Sequence, residues 1–473
     1  MATTLPRRRS VPELPIQLNP LIRNQGQQVR AALRSAIVDG LIGPGTKLPS
    51  SRSLAEQIGV RRNAIVAAYE YLISDGLVEA RHGSGTFVGA RIPAPTLMVP
   101  AAKFEVAGSQ RRAFALGHTL IDPVVLRRLA NATRRRIASA TADGLGYGDP
   151  SGCEHIRVQI ARHLAAHRGI RCDPGCIVVV NGTQHGLRLC IEALLSPGNK
   201  VWMEDPGYYA ARNTLTSTGM RIVPVPVDAE GIVPAADRRN GGSAQAAYVT
   251  PSHQFPTGVT MSMARRVALI EWARSTKAWI LEDDYDSEFR YAGPPLTALA
   301  GIGSECVIYF GTFTKTLFAG LRLAYAVVPP AALERVLLAR ATHDRFPAVF
   351  LQDAVADLMS DGTFDAHTRR MRKRYREARD TLAAALENAS GASLNVVKPT
   401  QGLHLLALLP PGAPKGSAHR IREAAGVEAM LLSEMRMVHR APDGLILGFS
   451  GHDLTEIKFA ARRLGQAARQ LLG

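Results

Sequence analysis

The sequence predicts an α/β protein in two parts: a large domain on a mostly parallel sheet, preceded by a small winged helix-turn-helix domain. Three observations carry this reading. From about Arg111 to the end, short β-branched runs alternate with helical stretches, as in IVVV at 177–180, AAYVT at 246–250, WILED at 279–283 and VIYFGT at 307–312, the pattern of strands joined by crossover helices. Between about Gln25 and Phe87, three short helical periods are followed by two extended runs around a glycine-rich turn. Between these regions, residues 89–110 hold three prolines and no clear period, as expected of a linker. The boundaries expected are an N-terminal arm over 1–20, the small domain over 21–88, the linker over 89–110 and the large domain over 111–473.

Composition narrows the function classes. With 46% hydrophobic and 21% charged residues, the 473-residue chain can bury sizeable cores and is neither collagenous nor mostly disordered. No apolar run reaches the roughly 18–20 residues that span a bilayer, and the start, MATTLPRRRSVPELP, has no apolar segment after its arginines, so no secretory signal is expected. The formal net charge is +17, a field that favours polyanions. Residues 1–110 hold 13 basic and 7 acidic residues, so the excess is spread along the chain and locates no site. The five cysteines are odd in number and form no C-x-x-C pair. That argues against a disulfide or zinc framework and for a reducing cytoplasm.

In the small domain, the first helix is predicted over about 25–39, with Val29, Leu33, Ala36 and Ile37 on one face. Gly40, Gly43, Pro44 and Gly45 break it. Ser50 can cap a second helix carrying Leu54, Ala55 and Ile58, which Gly59 closes. A third runs over about 61–74, with Ile65, Ala68, Tyr69 and Leu72 inward. LVEA and TFV then flank the turn Arg81-His82-Gly83-Ser84-Gly85, which completes the winged helix-turn-helix pattern. Arg61, Arg62 and Asn63 at the start of the third helix can reach base edges or phosphates in a major groove. Arg52 stands at the start of the second, where helix N–H groups also favour phosphate. Each arginine alone is equally a solvated surface charge; the spacing of the set is what points to nucleic acid.

In the large domain, YFGTFTKTLFAGLRLAYAVVP (309–329) runs from a strand into a loop with Thr312, Thr314 and Lys315, and Arg322 follows. Two hydroxyls and a guanidinium can bind a phosphate dianion, and a lysine beside them can form a Schiff base if its pKa is depressed. LEDDYDSEF (281–289) ends a strand with Asp283 and Tyr285. A carboxylate there can hold a pyridinium nitrogen protonated, and the phenol can bond a ring hydroxyl; a Mg²⁺ site from Glu282, Asp283, Asp284 and Asp286 is the rival reading. NGTQHGLRL (181–189) offers Thr183 and Gln184 at a helix start, either a phosphate site or a structural turn. EDPGYYAAR (204–212) places Tyr208 after a tight turn, as a stacking ring or a core tyrosine.

Residues 40–88, with LPSSRSLA and GSGTFV, resemble the winged-helix domain of the GntR family. The resemblance implies DNA contacts at Arg52, Arg62, His82 and Gly83, with Arg61 and Asn63 beside them. Residues 113–470 resemble the fold-type-I aminotransferases, proteins of pyridoxal 5′-phosphate (PLP), in the order phosphate loop, stacking aromatic, TPSHQFPTG, aspartate-tyrosine, lysine, arginine. This resemblance implies Lys315 as the Schiff-base lysine, Asp283 on the pyridine nitrogen, Tyr285 on the ring hydroxyl and Tyr208 stacked on the ring. Thr183, Gln184, Thr312, Thr314 and Arg322 are then the phosphate neighbourhood, and Tyr147 in GYGDPSGCEHIR reaches a partner subunit's site. The fusion resembles that of the MocR/GabR/PdxR regulators, of which TPSHQFPTG is typical.

The function expected is therefore a PLP-dependent transcriptional regulator: a cytoplasmic homodimer that binds an operator in double-stranded DNA. It would sense an amine, an amino acid or PLP itself, with Arg212, Arg436 and Arg440 as candidate effector contacts and no metal or membrane. The alternatives are a working aminotransferase with an accessory DNA-binding domain and an architectural DNA binder that uses its large domain to dimerise. Three departures weigh against efficient transamination. Phe255 stands where catalytic relatives carry asparagine. GHTLIDPVVL (117–126) departs from their substrate segment, and Ile446 in GLILGFSG (444–451) occupies the place of their carboxylate-binding arginine.

Overall fold

The structure is a computed structural model that describes residues 25–90, 112–142, 144, 146–233, 244–438 and 443–473. The expected arm, nearly all of the linker, and Arg440 lie outside the described residues. The chain divides into two compact units, residues 1–109 and 110–473.

The first unit holds α1 (Gln25–Val38), α2 (Ser51–Ile58), α3 (Arg62–Ser74), β1 (Val78–Arg81) and β2 (Gly85–Val88). The inward residues read from the sequence, Val29, Leu33, Ala36, Ile37, Leu54, Ala55, Ile65, Ala68, Tyr69 and Leu72, form its core. Ser50 caps α2 by accepting from the Ser53 N–H at 3.1 Å, and Gly59 ends it in the left-handed conformation, at φ 70°. The third helix begins one residue later than expected: Arg61 is extended, at φ −67° and ψ 137°, and stands before the first turn. Tyr69 donates its hydroxyl to the Pro49 carbonyl at 2.8 Å, which ties α3 to the turn ahead of α2. β1 and β2 pair antiparallel from Val78↔Val88 to Arg81↔Gly85.

The second unit opens with α4 (Pro123–Ala138) and α5 (Glu154–His167), then β3 (Ile177–Val180), α6 (Thr183–Leu194), β4 (Lys200–Asp205), α7 (Tyr209–Ser217), β5 (Arg221–Asp228), β6 (Gly231–Ile232) and β7 (Ala246–Val249). It continues through α8 (Met263–Thr276), β8 (Trp279–Asp284), β9 (Val307–Thr312), β10 (Ala324–Val327), α9 (Pro330–His343) and α10 (Val349–Ser360). These strands form one sheet in the order β3-β10-β9-β8-β7-β4-β5-β6. Pairs β4–β5, β4–β7, β7–β8 and β8–β9 are parallel, while β10 runs antiparallel to both neighbours. β3, β7 and β9 are buried along their whole length, which is why they read as unbroken apolar runs. Gly311 in β9 is obligatory, because a Cβ there would stand 2.3 Å from the Tyr325 ring.

A second sheet had not been anticipated from the sequence. α11 (Thr363–Ser390) leads to β11 (Asn395–Val397), β12 (His404–Leu408), α12 (Ser417–Ala425), β13 (Met430–Leu431), β14 (Gly444–Gly448) and α13 (Leu454–Leu472). The strands pair antiparallel in the order β11-β12-β14-β13. Leu405, Ala407, Leu445 and Leu447 pack under α11 and α13 in one apolar core with Leu382, Leu386, Ile457 and Leu464.

Candidate functional site

β3 and β9 run antiparallel to β10 and therefore parallel to each other, so the carboxyl ends of β3, β4, β7, β8 and β9 meet at one edge of the sheet. Ligands of open α/β sheets bind at such an edge. A cavity of about 560 Å³ opens there, lined by Thr183, Gln184, Tyr208, Asp283, Tyr285, Thr312, Thr314, Lys315 and Arg322. Every cofactor residue read from the sequence except Tyr147 is therefore in one place.

At the end of β3 the chain turns through Gly182, at φ 103°, into the first turn of α6. A side chain at Gly182 would stand 2.9 Å from the Arg322 guanidinium, so glycine is what lets that cation lie against the helix start. Arg322 donates to the Asn181 carbonyl at 3.0 Å and is itself held at φ 51°, a backbone strain that non-glycine residues rarely carry. Gln184 accepts from Thr214 Oγ1 at 2.6 Å, while its Nε2 is buried without a hydrogen-bond partner. The Thr314 N–H donates to Thr312 Oγ1 at 3.1 Å. Such donors at a helix N-terminus have the chemistry to bind an anion.

On the opposite wall, Asp283 accepts from Tyr248 through Oδ2 at 2.7 Å, and its Oδ1 is buried with no partner. Burial, reinforced by the charges of Asp284 and Asp286 and opposed by the Tyr248 bond, pushes its carboxyl up to about 7. Lys315 Nζ faces the Gly117 carbonyl at 3.5 Å, and burial lowers its ammonium below the ordinary lysine value against the pull of Asp286 and Asp283. A lysine so depressed is more readily the neutral, nucleophilic amine. Tyr285 donates to the His253 carbonyl at 3.0 Å. Tyr208 stands edge-on to Phe255, with ring centroids 5.4 Å apart.

The four carboxylates of the rival metal reading do not converge. Glu282 accepts from the Leu299 and Ala300 N–H groups at 2.9 Å each. Asp284 pairs with Arg168 at 2.7 Å, and Asp286 with His253 at 2.9 Å. Each is committed to a different partner, which corrects the Mg²⁺ alternative. Tyr147 lies outside the cavity, 82% exposed, beside Phe346 at 5.9 Å and under Arg345 at 5.5 Å.

Of the candidate effector arginines, Arg212 and Arg436 do not line the cavity either, and Arg440 lies outside the described residues. Arg212 donates to the carbonyls of Arg436 and Glu434, both at 3.3 Å, and so fastens that segment onto α7. The cavity is also lined by Arg422 of α12 and by Glu428 and Glu434 beyond it, which the sequence reading missed because these segments carry no recognisable motif. Tyr248 was missed as well. Its signal was a lone hydroxyl in a buried apolar strand, which needs a partner.

In the first unit, Arg52, Arg61, Arg62, Asn63, His82 and Gly83 are all exposed. Arg62 Nε reaches Ser51 Oγ at 3.4 Å, from the start of α3 to that of α2. Gly83, at φ 70°, shapes the wing turn, and Arg81 lies over the Phe87 ring at 4.6 Å.

The family model described as aminotransferase class I and II matches residues 116–464, and that of bacterial regulatory proteins, gntR family, matches residues 25–88. The chain is 34% identical to the probable rhizopine catabolism regulatory protein MocR of Rhizobium meliloti over 447 residues, 90% of each chain. It is 29% identical to the HTH-type pyridoxine biosynthesis transcriptional regulator PdxR of Corynebacterium glutamicum, over 96% of this chain and 98% of that one. Among solved structures, the α-aminoadipate aminotransferase LysN of Thermus thermophilus, complexed with N-(5′-phosphopyridoxyl)-L-leucine, matches with a TM-score of 0.69 at 27% identity, over 76% of this chain and 93% of that one. No helix among the described residues is long and apolar enough to cross a membrane.

The donors fit the cofactor that this family implies. The unpartnered Asp283 oxygen suits a ring N–H, the unpartnered Gln184 amide and the start of α6 with Arg322 suit phosphate oxygens, and Lys315 suits an aldehyde. The chain belongs to the MocR-type helix-turn-helix transcriptional regulators, DNA-binding proteins of the gntR family whose larger domain is a pyridoxal phosphate domain of aminotransferase class I and II.

Proposed function

We propose that this regulator holds PLP in the large-domain cavity and changes its hold on an operator when an amine, an amino acid or PLP itself arrives there. The convergence of separate sequence segments on one cavity around Lys315 carries this reading. The cofactor supplies an aldehyde able to condense reversibly with a primary amine. Lys315, its ammonium destabilised by burial, offers that amine from the protein. Asp283 would hold the ring nitrogen, Tyr285 the ring hydroxyl, and Arg322 with Thr183, Gln184, Thr312 and Thr314 the phosphate, with Tyr208 placed to stack on the ring. The five cysteines are free, in keeping with a cytoplasmic protein built as a DNA-binding domain over 21–88, a linker over 89–110 and an effector domain from 111.

The test is a screen of amines, amino acids and pyridoxal vitamers, read by the near-ultraviolet and visible absorbance of the loaded protein and by DNA affinity. Lys315→Ala is expected to retain reversible PLP binding but lose the absorbance band of the lysine-bound cofactor. An intact band in that variant would move the covalent attachment to another residue.

For the DNA-binding unit, Arg62 at the first position of α3 is proposed to read a base edge from the major groove, with Arg52, Arg61, Asn63, His82 and Gly83 on the flanking backbone. Arg62→Ala is expected to cost about 1–3 kcal/mol of operator binding and to relax sequence choice. Unchanged operator affinity would refute the assignment of α3.

The protein is further proposed to be a homodimer through its large domain. α4 exposes Val124, Leu126 and Ile137, and Leu126 and Ile137 line, with Leu351, a depression of about 600 Å³ that is almost wholly apolar. A second copy is the natural cover for such a patch, and it would bring Tyr147 to the neighbour's phosphate. Sedimentation at micromolar concentration should give the dimer, and Ile137→Glu with Leu126→Glu should give monomer. A monomeric wild type would overturn the proposal.

A further inference from the structure

α5 carries His163 and His167 one turn apart, a spacing that sets two side chains on the same helix face. Their rings stack with centroids 4.5 Å apart. Facing them is Asp365, in the first turn of α11. One ligand atom from each of the three residues lies within 4.8 Å of the others.

These donors are unspent. His167 Nδ1 stands 3.0 Å from the His163 carbonyl. A carbonyl only accepts, so the ring proton sits on Nδ1 and the neutral ring keeps a lone pair on Nε2. A backbone carbonyl commonly orients metal-ligating imidazoles in this way. Asp365 has no hydrogen-bond or ion-pair partner for its carboxylate among the described residues. His163 is the most enclosed of the three, its side chain 11% exposed, with Nε2 3.8 Å from Glu288 Oε1. His167 is exposed and Asp365 half-buried, so an ion can enter from solvent.

We propose that His163, His167 and Asp365 bind one divalent transition-metal ion of the Zn²⁺ class and so clamp the end of α5 to the start of α11. The sequence reading did not anticipate this ion, and the site stands apart from the cofactor cavity and from the DNA-binding unit. Two imidazoles and one carboxylate select a borderline ion; Mg²⁺ and Ca²⁺ call for a shell of oxygens. Three protein ligands leave a fourth position for water. With bonds of about 2.0–2.2 Å, tetrahedral ligands stand about 3.3–3.5 Å apart. The donors therefore need to close by no more than about 1.5 Å, a movement open to the exposed His167 side chain. The opening turns of α11 also hold Phe364, whose ring meets His163 at 5.6 Å and Phe313 at 5.7 Å. His367 follows, with Nε2 2.8 Å from the Thr316 carbonyl. Phe313 and Thr316 flank Thr314 and Lys315, so the ion would steady the back of the loop that presents the lysine.

The untagged, full-length, PLP-loaded protein, freed of metal by chelation and then of the chelator, is titrated with Zn²⁺ and with Co²⁺ as a coloured stand-in. Wild type should take up one equivalent at micromolar affinity and show the visible bands of four-coordinate Co²⁺. Its melting temperature should rise with Zn²⁺ concentration. Loss of a group that merely orients a ligand costs about 10–100-fold in affinity, so His167→Gln and Asp365→Asn should each lower it by at least about tenfold. Both should also lose the Co²⁺ bands and the rise in melting. Metal-free melting temperatures equal to wild type show that the variants fold, and either one serves if the other does not. His419→Gln, at an exposed histidine elsewhere on this unit, should behave as wild type. No uptake by wild type below millimolar Zn²⁺, wild-type uptake by a folded variant, or an equal response to Mg²⁺ would overturn the proposal. A thiolate-to-cobalt band or a shifted PLP band at the first equivalent would place the ion on the free cysteines or on the cofactor, and would equally overturn it.

Discussion

Asp283→Asn is expected to stabilise the cofactor-free protein above neutral pH while weakening its hold on PLP. The carboxyl is fully buried in β8 with one oxygen unpartnered, and burial raises it to about 7 from an unfolded value near 3.9. Between those values the folded protein binds one proton more than the unfolded chain. The contribution of Asp283 is therefore undiminished below about pH 4 and is lost progressively as pH rises to about 7. At 1.36 kcal/mol per unit, the loss approaches about 4 kcal/mol at pH 8. Glu204 nearby is raised to about 7 as well, by burial first, so the measurement is a difference between variant and wild type. Asparagine preserves an acceptor for Tyr248 and carries no charge to desolvate. Melting temperatures of the unloaded proteins should coincide only at or below about pH 4 and diverge steadily up to pH 8, with the variant higher. With PLP the order should reverse, because a ring N–H beside the ionised carboxylate compensates the buried charge and asparagine cannot. A variant that melts below wild type at pH 8 without cofactor, or binds PLP equally well, would show that Asp283 is a structural residue.

That prediction was half legible in the sequence. LEDDYD announced a carboxylate at a strand end, and the order of motifs along the chain singled out Asp283 among four acidic neighbours. What the sequence could not supply was the partner of each: Glu282 turns to the Leu299 and Ala300 amides, Asp284 to Arg168 and Asp286 to His253. These partners come from connecting segments outside the strand itself, after α5, after β7 and between β8 and β9, and only the assembled sheet brings them to β8. The same holds for Tyr248, which reaches Asp283 because their strands are parallel neighbours. The winged helix was readable almost residue by residue, since its caps, apolar periods and turn glycines are local signals. The antiparallel sheet of β11–β14 was not. Its strands are two to five residues long, and β12 meets β14 across some forty residues of intervening chain, so no local pattern marks the pairing. Missing that sheet also meant missing Arg422, Glu428 and Glu434 in the cavity lining.

Transamination of common amino acids by this protein is expected to be slower than the roughly 1–10 per second typical of enzymes by about a hundredfold or more. The resemblance to catalytic aminotransferases implies a carboxylate-binding arginine at the place where Ile446 stands. Here that position is fully buried in the middle of β14, paired with Leu406 and Met430, and packed with Phe255, Leu432 and Met435 in an apolar cluster. An arginine binds a carboxylate through two charge-assisted hydrogen bonds; isoleucine offers none. Without that clamp the amino acid is not held for proton transfer at its α-carbon, and misplacement by about 1 Å costs on the order of a hundredfold. Phe255 compounds the effect by presenting a ring where a hydrogen-bonding amide would sit. Arg212 does not replace the clamp, because its guanidinium is directed to the carbonyls of Glu434 and Arg436. Arg422 lines the cavity, but from α12 and in contact with His419 at 3.0 Å, so an acidic end bound there would approach from a different direction. Restoring the clamp by Ile446→Arg would bury a cation among apolar side chains, at a cost of several kcal/mol. The apolar wall is therefore part of the core and not a vacancy that one substitution fills. Such a site suits a sensor, since a ligand can be held and released without being consumed. Single-turnover reactions with a panel of amino donors, followed by formation of pyridoxamine phosphate, decide the matter. Conversion at enzyme-like rates with any common amino acid would make the large domain a working aminotransferase.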